Sequence, residues 1–257
     1  MSLRSYALVT GGSSGIGLEL AKVFAEEGYD LIIASDQPAK LKDAARHIKA
    51  ECPEAWVETI VADLAQPDGA RKLYEAVQER GFTVDVLVNN AGRGVWGDFA
   101  QETDLSDELA MIQLNVSSVV AVTKLFVADM VRRREGKILF TASEASLAPV
   151  ALMSVYAATK AFVYSFALGL REELKDTGVS VTALLPGATQ TEFFGRAHMN
   201  ELEFVQSGKM ADPSEVARDG YDALIAGDDH IVTPFKDRIK MTANKFMPAA
   251  WTVSRME

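Results

Sequence analysis

Ser143, Tyr156 and Lys160 place a hydroxyl, a phenol and an amine within one short stretch of this 257-residue chain. Tyr156 and Lys160 are four apart in a segment that reads as helix, so their side chains share a face. An ammonium beside a phenol favours the phenolate and lowers its pKa from about 10. A shift of about two units would correspond to roughly 2.7 kcal/mol of charge stabilisation. Such a tyrosine would exchange protons nearer neutral pH, where acid–base assistance is efficient. The set suits proton transfer at a carbonyl or alcohol oxygen while hydride moves at the carbon. Tyr-x-x-x-Lys recurs by chance in long helices, so this chemistry also needs a cofactor site on the same chain.

The N-terminus offers one. The apolar run at 6–10 suits a buried parallel strand and feeds into Thr10-Gly11-Gly12-Ser13-Ser14-Gly15-Ile16-Gly17. An amphipathic helix follows, with Leu18, Ala21, Phe24 and Ala25 on one side and Glu19, Lys22 and Glu26 on the other. Strand, glycine-rich turn and helix build an anion site, because glycines let backbone approach a pyrophosphate and the helix N-terminus offers free amides. The glycine spacing departs from Gly-x-Gly-x-x-Gly, and a tight connection alone would also explain it.

Taken together, Thr-Gly-x-x-x-Gly-x-Gly and Tyr-x-x-x-Lys make the chain resemble the short-chain dehydrogenase/reductase family. Other marks stand in order: Asn89-Asn90-Ala91-Gly92 after an apolar strand, Asn115 in a helical segment, Ser143 ahead of Tyr156, and Pro186-Gly187-Ala188-Thr189-Gln190-Thr191 after another strand. The resemblance runs from residue 6 to about 235. It implies a single Rossmann-like α/β domain, a doubly wound parallel sheet of about seven strands. It also implies an NAD(P)-dependent oxidoreductase acting on a secondary alcohol or ketone.

On this resemblance Tyr156 is the acid/base, Ser143 bonds the same substrate oxygen, and Lys160 tunes Tyr156 and holds the nicotinamide ribose. Asn115 distorts its helix and holds a proton-relaying water. Gly11, Ser13, Ser14, Gly15, Ile16 and Gly17 would cradle the cofactor phosphates, and Asn90, Ala91 and Gly92 would line the same site. Asp63 and Leu64 would meet the adenine. Pro186, Gly187, Thr189 and Thr191 would flank the nicotinamide, Thr191 through its carboxamide. Each residue has a plainer alternative: Ser143 could cap a turn, Asp63 a helix, and Asn115 could be a buried polar group satisfied by backbone.

The loop after the second strand should meet the adenosine ribose, and it reads Ala34-Ser35-Asp36-Gln37. A carboxylate accepts from a free 2′-hydroxyl and repels a 2′-phosphate. Neither Ser14 nor Asp36 is basic, where NADP-preferring members of the family often carry Arg or Lys. NAD(H) is therefore expected over NADP(H), with nearby Lys40 the reservation.

Strand-like runs at 6–10, 30–35, 57–61, 84–89, 136–142, 179–185 and 229–233 alternate with helical patterns at about 15–28, 38–51, 67–80, 105–134 and 154–177. A further helix starts at Asp212-Pro213-Ser214-Glu215 and ends before Gly227. Alternation without a linker argues for one domain despite the length. No strict run of about 20 apolar residues is present, and strand one begins at once, so neither membrane span nor signal peptide is expected and a cytoplasmic protein is. Cys52 is alone, and His47, His198 and His230 lack metal-ligand spacing, so no disulfide and no metal are expected. A net charge of −10 argues against binding nucleic acid or anionic lipid.

A lid is expected at about 188–212, with Phe193, Phe194, Met199, Leu202, Phe204 and Val205. Val95, Trp96, Phe99, Leu147, Val150 and Met153 would join it to line an apolar substrate site. Arg196 and His198 are read as solvent-facing rather than as substrate contacts. The helices at 105–134 and 154–177 are apolar on more than one side, which predicts a homodimer or homotetramer. The segment 236–257 is basic and amphipathic, and packing within the protein or its oligomer is expected there before membrane contact. A nucleotide sensor without catalysis, or an epimerase or dehydratase on the same scaffold, are the competing functions.

Overall fold

Short apolar runs separated by crossover helices must pair in parallel, because each helix returns the chain to the same end of the sheet. The computed structural model describes residues 5–197, 199, 206 and 210–234. Its strands are β1 (Tyr6–Thr10), β2 (Asp30–Ser35), β3 (Val57–Val61), β4 (Val84–Asn89), β5 (Gly136–Thr141), β6 (Val179–Pro186) and β7 (His230–Thr233). They pair in parallel in the order β3-β2-β1-β4-β5-β6-β7. The chain winds outward from β1 to β3, then returns to lay β4 against the other side of β1. That reversal leaves a crevice beyond the carboxyl ends of β1 and β4.

The helices are α1 (Gly15–Glu26), α2 (Pro38–Glu51), α3 (Gly69–Glu79), α4 (Leu105–Ile112), α5 (Ser118–Arg133), α6 (Ser154–Leu174), α7 (Phe193–Arg196) and α8 (Pro213–Ala226). The period of two along β1 decides which of them it meets. Ala7 and Val9 pack with Leu20 and Phe24 of α1, Leu41 and Ile48 of α2, and Val216 and Leu224 of α8. Leu8 packs on the other face with Leu73 of α3, Phe126 of α5 and Val163 of α6. Leu8, Leu20, Phe24, Ile48 and Phe126 are all almost wholly removed from water. Each such side chain contributes roughly 1.5–3 kcal/mol of transfer free energy.

Several boundaries differ from those the sequence predicts, each for a local reason. α1 stops at Glu26 because Gly28 turns the chain at φ +87°. α6 stops at Leu174, where the Thr177 hydroxyl takes the Leu174 carbonyl at 2.6 Å. α3 begins at Gly69, whose Cβ would lie 2.0 Å from the Asp63 carbonyl oxygen, so a tight turn at 63–68 precedes it. The helix predicted over 105–134 is α4 and α5 joined by a π turn at Gln113–Ser117. This stretch, Leu105–Arg133, has the length and mean hydropathy (1.6) of a membrane span. The strict apolar count misses that, but Val119, Val122, Phe126 and Met130 pack it against the sheet. The tail at 236–257 and lid residues 198, 200–205 and 207–209 lie outside the described residues.

α8 carries the start signal read from the sequence. The Asp212 carboxylate accepts the Ser214 N–H at 2.8 Å, Pro213 opens the helix, and Gly227 closes it at φ +76°. Asp212→Ala should therefore cost about 1 kcal/mol. In a chain of this size that lowers the melting temperature by about 2–4 °C, a shift calorimetry resolves.

Candidate active site

The loops that follow β1 to β6 open on one cleft of about 900 Å³, lined by residues from Gly11 to Arg196. Thr10 is the joint at its floor. Its hydroxyl accepts the backbone N–H groups of Asn90 (3.0 Å) and Ala91 (3.1 Å) and donates to the Val88 carbonyl (3.2 Å). The Asn90 side-chain amide donates back to the Thr10 carbonyl at 3.1 Å. Gly17 admits that amide: a Cβ there would stand 2.4 Å from Asn90 Nδ2 and 2.3 Å from the Gly11 oxygen. Ser14 begins α1 without a side-chain hydrogen bond to the first turn, so those amides remain available to an anion.

At the β2 side, Ser13 Oγ donates to Ser35 Oγ at 2.9 Å, and Ser35 donates to Asp36 Oδ1 at 3.2 Å. Asp36 is thereby fixed and still exposed in the cleft wall. Asp63 and Leu64 line the cleft beside it. The Asp63 carboxylate also accepts from Ala65 N (2.9 Å) and Gln66 Nε2 (3.0 Å), which ties down its own turn; it does not cap the following helix, which begins at Gly69 after Asp68.

The other end of the cleft gathers the polar set around Tyr156. Ser143 begins a one-turn 3-10 helix at Glu144–Ser146: its Oγ accepts the Ala145 N–H at 3.2 Å, and its own N–H donates to Ser146 Oγ at 3.3 Å. The same hydroxyl lines the cleft with the Tyr156 phenol, close enough to act on it. Pro186 O lies 3.5 Å from it, which joins the β5 and β6 loops. Tyr156 and Lys160 share one face of α6, only 8% and 5% exposed, with the ammonium 5.9 Å from the ring centre. Lys160 Nζ donates to Thr141 O at 2.9 Å.

Burial governs both groups. It pushes the Tyr156 phenol up to about 12, opposed by the nearby Ser143 hydroxyl, and pushes Lys160 down to about 8. The spacing alone predicts a lowered tyrosine. The structure reverses that direction, because the ammonium turns to a β5 carbonyl and desolvation penalises the charged form of each group.

Asn115 sits inside the π turn, 1% exposed. Its Oδ1 accepts the Arg93 N–H at 3.0 Å, and its Nδ2 donates to Arg93 O at 2.9 Å and Thr159 Oγ1 at 3.0 Å. It lies where the helix is distorted, its amide is satisfied by the Arg93 backbone and Thr159, and it clamps the 90–94 loop beside Lys160. A Cβ on Gly92 would lie 3.2 Å from Asn115 Oδ1 and 3.3 Å from Lys160 Nζ.

Over Tyr156 lies the segment that follows β6. Thr189 donates to the Gly187 carbonyl at 2.9 Å, and the neighbouring backbone pairs with Ala211. Thr191 packs against Gly15, its Cγ2 3.1 Å from where a Cβ would be. The Phe193 ring centre is 5.3 Å from that of Tyr156, and its edge rests on Gly94. Leu147, Val150, Met153 and Phe194 complete the apolar wall. Val95 and Trp96 pack behind Met153 instead of lining the cleft, and Phe99 is 61% exposed. His198 lies outside the described residues.

A family model for short chain dehydrogenases matches residues 5–201. The chain belongs to that family. Among its curated relatives is an oxidoreductase of Bacillus subtilis (strain 168), YvaG, 35% identical over 188 residues, 72% of this chain and 69% of that one. Among solved structures, a short-chain dehydrogenase from Sphingobium yanoikuyae in complex with NADPH superposes with a TM-score of 0.82 at 28% identity, covering 96% of this chain and 97% of that one. The bulky-bulky ketone specific alcohol dehydrogenase from Comamonas testosteroni gives 0.78 at 25% identity, covering 97% of each. This short-chain dehydrogenase is thus an oxidoreductase of CH–OH and C=O groups with a site for a nicotinamide cofactor. The glycine cradle and the uncapped start of α1 fit such a dinucleotide.

Sequence reading names Thr10 only as the opening of the glycine motif and passes over Arg93, Thr141, Glu144 and Glu192, all close to the short-chain dehydrogenase motifs. Arg93 and Glu144 directly follow motif residues, which is the signal that finds them. Thr141 acts through its backbone carbonyl and leaves no trace in residue type.

Lys160 gives a testable pH dependence. Its pKa falls from 10.5 to about 8 on folding, so below pH 8 the folded state bears the full cost of a buried ammonium, relieved as pH rises to 10.5. A change of 2.5 units (10.5 − 8) corresponds to about 3 kcal/mol. Urea unfolding should find Lys160→Met stabilised relative to wild type by a margin that shrinks, by up to that amount, between pH 7 and 10.5. A margin independent of pH would mean an ordinary lysine.

Proposed function

We propose that this short-chain dehydrogenase transfers hydride between a nicotinamide cofactor and an apolar, medium-sized secondary alcohol or ketone, with NAD(H) favoured over NADP(H). The observation that carries it is the buried Tyr156–Lys160 pair, with Ser143 beside it, at one end of a cleft whose other end is the glycine turn and Asp36. A bound nicotinamide would supply or accept the hydride. Gly11, Ser13, Ser14, Gly15, Ile16, Gly17, Asp63, Leu64, Asn90, Ala91, Gly92, Pro186, Gly187, Thr189 and Thr191 would hold the cofactor, and Lys160 its ribose. The exposed carboxylate of Asp36 in the cleft wall supports NAD(H); the NADPH in the Sphingobium structure is the opposing precedent.

Tyr156 Oη passes its proton to the substrate oxygen in reduction and takes it back in oxidation. Ser143 Oγ holds that same oxygen, an oxyanion-type role. Asn115 positions the loop beside Lys160. The wall of Leu147, Val150, Met153 and Phe193 excludes water and favours apolar flanks on the carbonyl; the Comamonas enzyme's bulky ketones support this class. Leu105, Leu109, Ile112, Val120 and Phe162 leave apolar side chains exposed on α4, α5 and α6, which supports assembly with a second copy.

Tyr156→Phe should lose turnover on an alcohol and ketone panel by about 10²–10⁴-fold. Fluorescence titration should still find NADH bound, and bound more tightly than NADPH. A variant within about tenfold of wild type removes the acid/base role; tighter NADPH removes Asp36 as ribose reader.

The pH profiles should separate the two directions. With a pKa of about 12, the phenolate is about 10⁻⁴ of Tyr156 at pH 8, from 10 raised to (8 − 12). Ketone reduction should therefore be flat from pH 6 to 8. Alcohol oxidation should climb about tenfold per unit and bend near 8 as Lys160 loses its charge. Oxidation independent of pH across that range would place the working proton elsewhere.

A further inference from the structure

A dinucleotide brings negative phosphates, yet from Thr10 to Leu18 the glycine turn carries no cation, only the hydroxyls of Ser13 and Ser14 among its later polar side chains. The cations lining the cleft among the described residues are Arg93, Lys160 and Arg196. Lys160 is committed to Thr141 O at the buried end, and Arg93 reaches outward to Asp107 at 2.7 Å. Arg196 stands over the turn itself: its Nη2 is 3.4 Å from Ser14 Oγ and 2.6 Å from Glu192 Oε2. The same Glu192 oxygen receives the ammonium of Lys40 from α2. Lys40 and Glu192 both border a recess beside Ser13, Ser14 and Gly15.

Two cations, Lys40 from 152 residues away and Arg196 from the next turn, thus converge on one Glu192 oxygen next to the phosphate cradle. Exposed ion pairs of this kind add little to stability, so the cluster is poorly explained as a fold-stabilising device. Its effect is to position a guanidinium. Both contacts of Arg196 use Nη2, which leaves the Nε and Nη1 edge of a planar fork whose geometry matches phosphate oxygens.

We infer that Arg196 is a cofactor-phosphate ligand delivered by the lid, and that Glu192 is the counter-ion holding it over Ser14. The inference rests on the dinucleotide reading of the cleft. The phosphate then exchanges with Glu192 as the partner of Arg196.

Titration of the full chain with ADP-ribose, NADH and NADPH tests this by binding alone. Wild-type binding of these probes checks the dinucleotide reading separately. Arg196→Ala should weaken at least one phosphate-bearing probe about tenfold, the scale of one charge-assisted hydrogen bond. Melting of the free chain should not change, because Arg196 is exposed. Equal losses for NADH and NADPH put the guanidinium on the pyrophosphate; loss confined to NADPH puts it on the 2′-phosphate; either supports the assignment. Affinities within twofold of wild type for all three probes, with wild type binding them, overturn it. Glu192→Gln removes a negative charge beside the phosphate and keeps a hydrogen-bond partner for Arg196, so it should tighten the affected probe. Weakening to the level of Arg196→Ala would overturn the counter-ion role.

Discussion

The Asn90 amide pressed into the glycine turn is the constraint on which the rest of the site depends. It reaches the Thr10 carbonyl only because Gly17 offers no Cβ in its way. Thr10 answers by accepting two backbone N–H groups from the neighbouring loop. Three elements are joined there without a single charged group: the end of β1, the start of α1 and the loop after β4. The position of the cradle relative to the 90–94 loop is then fixed by van der Waals limits and neutral hydrogen bonds, which salt does not screen.

The opposite end of the cleft is governed by electrostatics instead. Tyr156, Lys160 and Asn115 are drawn out of water by the same helices that complete the core. Burial holds the phenol as a proton donor and makes the ammonium easier to discharge. A neutral donor and a reluctant cation side by side are poised to act when charge develops on a substrate oxygen. The same desolvation that is unfavourable at rest strengthens every interaction of that charge.

Much of this was legible in the residues themselves. All seven strands lie within a residue of the spans their apolar runs mark; for the inner strands the reason is that a strand buried on both faces is apolar along most of its length. The clustering of Asp36, Asn90, Ser143 and Tyr156 in one cleft follows from their place just after parallel strands. What the sequence hides is what depends on direction. That Lys160 turns to Thr141 O, and that Val95 and Trp96 pack into the cluster around Met153 and do not line the cleft, are matters of side-chain orientation, which spacing does not encode. Helix ends were misread where a backbone contact ends the helix: Gly69 against Asp63, and Thr177 on the Leu174 carbonyl.

The π turn at Gln113–Ser117 has a meaning for the whole long helix. A π turn holds one residue more than an α turn, and each residue of an α-helix advances about 100° around the axis. α4 and α5 are therefore out of phase by about that angle compared with one unbroken helix. The phase slip allows Leu105 and Leu109 to point outward while Val119, Val122 and Phe126 still reach the sheet. The bend that aims Asn115 at Arg93 and the choice of which face this helix shows to the outside are one and the same inserted residue.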